Sequence, residues 1–196
     1  MMLSTRAQVK TTQQIDAASI QKITLDLDQV AFVDIRATPT NKIEMETVSN
    51  GEYSQAISFD KQIDKEELRI RSVFDGKLKG GFDKLSAHKV FSIGLALSIP
   101  AEIEVDISTD ISNISIKGNF QSVHIENKFG DCELIDFRGN ANINTFDGHV
   151  FITTRDAKVE ARTSTGDKNV HRFKREKYLI KVRTVDGNIK IQPKKE

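Results

Sequence analysis

The 196-residue sequence predicts an all-β fold whose second half winds as a β-solenoid of 18-residue coils. Three observations carry this reading. Apolar and polar residues alternate at period two from Lys22 onward, glycine-centred turns recur at a fixed spacing after Pro100, and no window of about ten residues or more keeps a capped helical stripe.

The strands of the first half follow from the alternation. Ile23, Leu25 and Leu27 flank Thr24 and Asp26, Val33 and Ile35 flank Asp34, and Leu68 and Ile70 flank Arg69. Asn50-Gly51 is a turn signal, Asp16 to Ile20 has room for one turn, and Asp75 to Lys89 with Gly80-Gly81 is the expected mobile loop. These strands are expected to form an irregular β cap ahead of the coils.

The repeat can be counted. Ser112, Gly130, Gly148 and Gly166 lie 18 residues apart, and Gly187 follows after 21. The same spacing aligns Val105, Val123, Ala141 and Val159, then Ile107, Ile125, Ile143 and Ala161. Beyond the turn it aligns Ile114, Cys132 and Val150, then Ile116, Leu134, Ile152 and Val170; Lys168 interrupts one column. Short alternating strands of this kind cannot bury an apolar face alone, but stacked coils bury one face of each strand in a shared interior. An 18-residue coil also occurs in left-handed hexapeptide-repeat acyltransferases, which need a small or aliphatic residue at every sixth position. From Val123 that series reads Phe129, Ile135, Ala141, Asp147, Thr153, Val159, Thr165, His171 and fails. The domain reading is a polar, flexible stretch over residues 1–21, one solenoid domain over 22–192 and a tail over 193–196.

Composition excludes more than it assigns. Lys and Arg total 29 against 28 Asp and Glu, so no global charge argues for nucleic acid. Phe dominates the aromatics, with no Trp and two Tyr, which leaves no stacking platform for sugars or bases. The single Cys132 falls at an inward position and is expected to pack rather than react. Met1 to Ile20 has no apolar run, so neither an export signal nor a membrane span is read from the chain.

No constellation of side chains specifies a catalytic site or a cofactor. Asn113, Asp131, His149 and Asp167 follow successive turns and are of metal-ligating type, but such positions favour Asp and Asn for backbone hydrogen bonding, and no metal is assigned. Asp106, His124, Asn142 and Glu160 form an outward column with no nucleophile beside it. Lys77 to Gly81 lacks the Gly-Lys-Ser/Thr of a phosphate-binding loop. One cluster stands out. Lys168, Arg172, Lys174, Arg175 and Lys177 coincide with the three extra residues between Gly166 and Gly187, so a bulging basic loop is expected, either meeting an anionic partner or standing as a solvated loop with Phe173 tucked back. Lys190, Pro193, Lys194 and Lys195 read as devices that blunt a final edge strand; homo-oligomers through the solenoid edges are the corresponding alternative.

The strand-rich first half, the Leu97-Ser98-Ile99-Pro100 step, the segment Glu104 to Thr109 and the recurring Gly-Asp or Asp-Gly turns together resemble a bacterial domain-of-unknown-function family labelled putative adhesin. The resemblance covers roughly Lys22 to Ile191. It implies a right-handed, single-stranded parallel β-helix in proteins tied to the cell envelope, with no catalytic residues to carry over. The expected function is a non-enzymatic binding or scaffold module whose partner is an envelope polymer, a membrane surface or another protein. The alternative is a carbohydrate-active β-helix enzyme; such enzymes generally use larger coils and an acidic or Arg cluster in an open groove, which this chain does not offer.

Overall fold

The computed structural model describes residues 8–50, 57–74 and 92–194. The expectations for Gly51, for the Asp75 to Lys89 loop and for Lys195 lie outside these residues. The described chain is all-β, with no helix: β1 (Gln8–Asp16), β2 (Lys22–Leu27), β3 (Phe32–Thr38), β4 (Lys42–Asn50), β5 (Ile57–Asp64), β6 (Glu67–Phe74), β7 (Ser92–Pro100), β8 (Glu104–Thr109), β9 (Asn113–Phe129), β10 (Cys132–Asp147), β11 (Val150–Thr154), β12 (Ala157–Thr163), β13 (Lys168–Val170), β14 (Tyr178–Asp186) and β15 (Ile189–Pro193). Residues 8–16, read from the sequence as part of a polar tail, form strand β1 and pair with β4. The expected turn is present at Ala17 to Ile20, closed by an Ile20 N–H to Ala17 carbonyl bond.

All fifteen strands join in one open sheet of mixed direction. One run follows β1–β4–β7–β3–β9–β10–β11–β15–β13. A second follows β5–β6–β2–β8–β9–β10–β14–β12. Pairs β1–β4, β4–β7 and β5–β6 are antiparallel, and the rest are parallel. Strands β9 and β10 serve both runs because each bends midway. Gly118 (φ +112°) lies at the first bend, Asp136 (φ +49°) and Gly139 (φ +140°) at the second, and the buried rings of Phe120 and Phe137 stack 5.8 Å apart behind them.

The counted spacing is found as backbone register. Val105, Val123 and Ala141 are successive Cα partners, as are Ile107, Ile125 and Ile143. Ile114, Cys132 and Val150 continue in the other run, with Ile116, Leu134 and Ile152 beside them. All of these side chains are buried. Each large aliphatic gains roughly 1.5–3 kcal/mol from burial, and it does so only with neighbours above and below.

At both ends the stacking order departs from chain order. Ala141 meets Ile180 rather than Val159, and Val159 pairs with Ile180 from the other side. Likewise Val182 separates Ile143 from Ala161, and Ile191 separates Ile152 from Val170. The chain therefore skips a level at β12 and β13, returns through 171–177, and fills the gap with β14 and β15. The three extra residues belong to that return. The first half mirrors this arrangement. Strand β2 lies between β6 and β8, and β3 lies between β7 and β9, so Ile23 sits on Val105 and Val33 on Ile114. The first half thus supplies registered strands of the same stack instead of an irregular cap; only β1, β4 and β5 add antiparallel strands outside it.

Two details explain the turns. Ahead of them a polar column replaces the apolar one, with Thr109, Asn127, Thr145 and Thr184 buried in register. Asn127 Nδ2 donates to the carbonyls of Ser112 (2.9 Å) and Gly130 (3.0 Å), and Ser112 Oγ donates to the Val30 carbonyl at 2.6 Å. These bonds satisfy turn carbonyls that the ladder leaves open. The glycines are required by close backbone approach: a Cβ on Gly187 (φ +146°) would lie 2.1 Å from the Gly148 carbonyl oxygen. We expect Gly187→Ala to lower unfolding stability by at least about 2 kcal/mol. In contrast, Gly94→Ala, whose new Cβ would meet nothing nearer than 3.8 Å, should stay within about 1 kcal/mol of the parent; denaturant titration of both variants checks this.

Candidate functional site

The corner where the second run's neighbours begin and the first run's strands end is basic. It gathers the end of β3, the bends of β9 and β10, and the ends of β11 and β15. These elements line a cleft of about 450 Å³ that carries Arg36, Lys117, Arg138, Arg155 and Lys194. All five are exposed. Arg36 is held by Asp34 through two bonds of 3.1 and 2.8 Å, and Lys194 pairs with Asp136 at 2.8 Å. Among the described residues Lys117, Arg138 and Arg155 have no ion-pair partner. Phe137, which forms part of the floor, is fully buried.

The basic loop foreseen from the sequence emerges at this same corner. It leaves β13, whose last residue Val170 pairs with Ile191, and re-enters at β14, where the N–H groups of Lys177 and Tyr178 donate to the Asp156 carbonyl beside Arg155. Arg172, Lys174, Arg175 and Lys177 are exposed. Phe173 packs against the core, the placement that the solvated-loop alternative expects, with His171 edge-on at 5.0 Å. The Tyr178 phenol raises the Lys177 ammonium above its ordinary value, with the Glu102 carboxylate adding to the rise and the charge of Arg138 opposing it. Lys168 does not join them. It starts β13 as the partner of Ile189, itself the partner of Val150, and so lies at the other end of that strand. There it holds an exposed, interior-type position on a strand paired on one side only, and such an inward charge discourages further strand addition.

The blunting residues are also reassigned. Lys190 and Pro193 belong to β15, which is flanked by β11 and β13, and Lys190 Nζ lies 5.5 Å from the centre of the Phe151 ring. Lys194 takes part in the cleft.

The opposite, glycine-turn corner is acidic, with Asp110, Asp131, Asp147, Asp167 and Asp186 beside the turns. The column weighed as metal ligands is engaged with backbone. Asn113 Oδ1 accepts from the Asp131 N–H at 3.0 Å, Asp131 Oδ1 from the His149 N–H at 2.8 Å, His149 Nδ1 from the Asn188 N–H at 2.9 Å, and Asn188 Oδ1 from the Asp167 N–H at 2.8 Å. Among the described residues no group of three His, Cys, Asp or Glu is placed to hold a metal ion. The outward column is likewise occupied. Asp106 pairs with Lys22, His124 Nε2 meets Glu126 at 3.2 Å, and His124 Nδ1 lies 3.2 Å from Asn142 Nδ2. Lys181 stands between Asn142 and Glu160.

Sequence inspection found the loop because its cations are contiguous. It missed the cleft because each cation there comes from a different level of the stack, on a strand or directly after one. The one shared local signal is a basic residue directly before a bend glycine, at Lys117-Gly118 and Arg138-Gly139.

Cys132 is buried, and burial pushes its thiol up to about 12. The thiolate is the reactive form, so labelling at mildly alkaline pH should be negligible in the folded chain and rapid once denaturant is added. Rapid labelling of the folded chain would contradict the inward placement.

Comparison with known proteins gives likeness of fold. No family model matches the chain. No curated protein matches it. Among solved structures, a putative cell adhesion protein from Clostridium sporogenes aligns over 96% of this chain and 100% of its own, with a TM-score of 0.71 and 15% identity. A putative adhesin from Bacteroides fragilis aligns over 94% of this chain and 97% of its own, with a TM-score of 0.42 and 13% identity. The shared fold rests on the first.

Proposed function

We propose that the chain is a β-solenoid acting as a non-enzymatic, adhesin-like binding module of the bacterial cell envelope, with the basic corner as its contact for an anionic partner. The observation that carries this reading is the convergence of Lys117, Arg138 and Arg155, none of them ion-paired among the described residues, in one cleft beside the loop of Arg172, Lys174, Arg175 and Lys177. The chain as a whole is nearly neutral at +1, so cations concentrated at one corner are balanced by acids elsewhere, among them the aspartates at the glycine turns. Such polarity orients an approaching polyanion and speeds its capture. The parallel registers of eighteen residues support the solenoid reading. The fold likeness to a putative cell adhesion protein supports the adhesin-like one. A binding role also suits the side chains. The cleft supplies forked guanidinium donors from Arg36, Arg138 and Arg155, a cluster that sequence reading did not foresee, and its carboxylate, Asp136, is held by Lys194.

The test is calorimetric titration of the purified chain with dextran sulfate, a generic polyanion, at low and moderate salt. Saturable binding that weakens as salt rises is expected. Arg138→Glu with Arg155→Glu should weaken it at least about tenfold, a loss of about 1.4 kcal/mol. Lys65→Glu, in the remote turn between β5 and β6, should leave it unchanged. Undiminished binding by the double variant would overturn the assignment.

A further inference from the structure

The five cleft cations are ordered along the stack, one to a level: Arg36, Lys117 and Arg138 lie on β3, β9 and β10, and Arg155 and Lys194 directly follow β11 and β15. Arg36 of β3 is the register partner of Lys117 of β9, which faces Ile135 of β10 just ahead of the bend that carries Arg138. Phe137 pairs with Thr154 of β11, so Arg138 and Arg155 are each the next residue on neighbouring strands. Thr154 pairs in turn with Pro193 of β15, which sets Lys194 level with Arg155. Neighbouring strands are about 4.8 Å apart, so this row extends over roughly 19 Å. That is too long for a single phosphate to bridge.

The geometry points to a linear phosphate-bearing polymer, laid along the stacking direction in this cleft, as the anionic partner. The inference rests on the anion-binding reading above and narrows it. A row of cations at strand spacing meets successive charges of an extended polymer, and each added contact after the first is gained within an already tethered chain. Arg138 and Arg155 offer forks suited to phosphate oxygens, and Lys117 adds a point charge. Arg36 is partly neutralised by Asp34 at one end; at the other, Lys194 reaches back to Asp136 of β10 and offsets that carboxylate, so Lys117, Arg138 and Arg155 keep their charge for the polymer. Among the described residues the aromatic side chain that lines the cleft is Phe137, and it is fully buried, so these residues present no ring there on which nucleobases would stack. A concave row is also a poor match for a flat membrane surface, which calls for cations spread across a plane.

The experiment compares inorganic phosphate, tripolyphosphate and long-chain polyphosphate by calorimetry on the full chain, with poly-glutamate and phosphatidylglycerol vesicles in parallel. Expected is affinity, expressed per phosphate group, that rises at least about tenfold from inorganic phosphate to the long chain. Lys117→Glu and Arg155→Glu should each weaken the long chain more than tripolyphosphate. If inorganic phosphate bound as well per group as the polymer, the row would be a single-anion site and the inference would fail. Equal or tighter binding of poly-glutamate or vesicles, still lost in the Arg138→Glu, Arg155→Glu variant, would overturn the phosphate polymer while leaving the anion-binding corner standing. Silence toward every anion would overturn both.

Discussion

Everything in this molecule depends on parallel backbone register. Once Val105 is fixed over Val123 and Val123 over Ala141, every other side chain of each strand points into the same interior, and the rest point outward in ladders. A one-residue slip would turn Ile107, Ile125 and Ile143 to solvent and His124 and Asn142 inward, so the apolar columns and the register enforce one another. The glycine turns and the buried Thr and Asn column complete the constraint. They let backbones approach at the corners and satisfy the carbonyls found there.

The interleaving at both ends gives the stack a property that simple sequential winding lacks. Strands β14 and β15 are held between neighbours on both sides, and so are β2 and β3. The last two strands of the described chain are thereby held inside the stack, whereas β1, the first, pairs on one side with β4. The one-sided position at the far end falls to β12 and the three-residue β13, where Val159 and Ala161 are only half-buried and Lys168 occupies an interior position with its charge exposed. Sheet edges handled in this way resist unintended pairing.

The middle of the fold was legible in the sequence because consecutive levels there follow one another in the chain, so that register and spacing coincide. They part company at the ends. Ile23 sits on Val105 across intervening strands, at a separation that no repeat search would connect, and the spacing from Gly148 to Gly166 fits sequential stacking as well as it fits a skipped level. The lengthened interval to Gly187 and the misfit of Lys168 were visible marks of the departure, but periodicity alone does not convert them into an order of strands. The site divides in the same way. Arg172 to Lys177 is a local cluster and could be read directly. The row from Arg36 to Lys194 exists only once five strands are stacked, and its members share no linear pattern beyond a basic residue ahead of a bend glycine.

The interleaved order is the claim from which the interior columns, the protected edge and the row of cations all follow, and cross-linking tests it most directly. Cysteines at outward positions 142 and 181 lie on adjacent strands, within the 4.4–6.8 Å Cα separation that a disulfide needs, whereas 142 and 160 lie two strands apart, at roughly twice the strand spacing. Under mild oxidation the account requires the Asn142→Cys, Lys181→Cys pair to form an intramolecular disulfide and the Asn142→Cys, Glu160→Cys pair to remain free thiols. The reverse outcome would restore sequential stacking and contradict the arrangement described here.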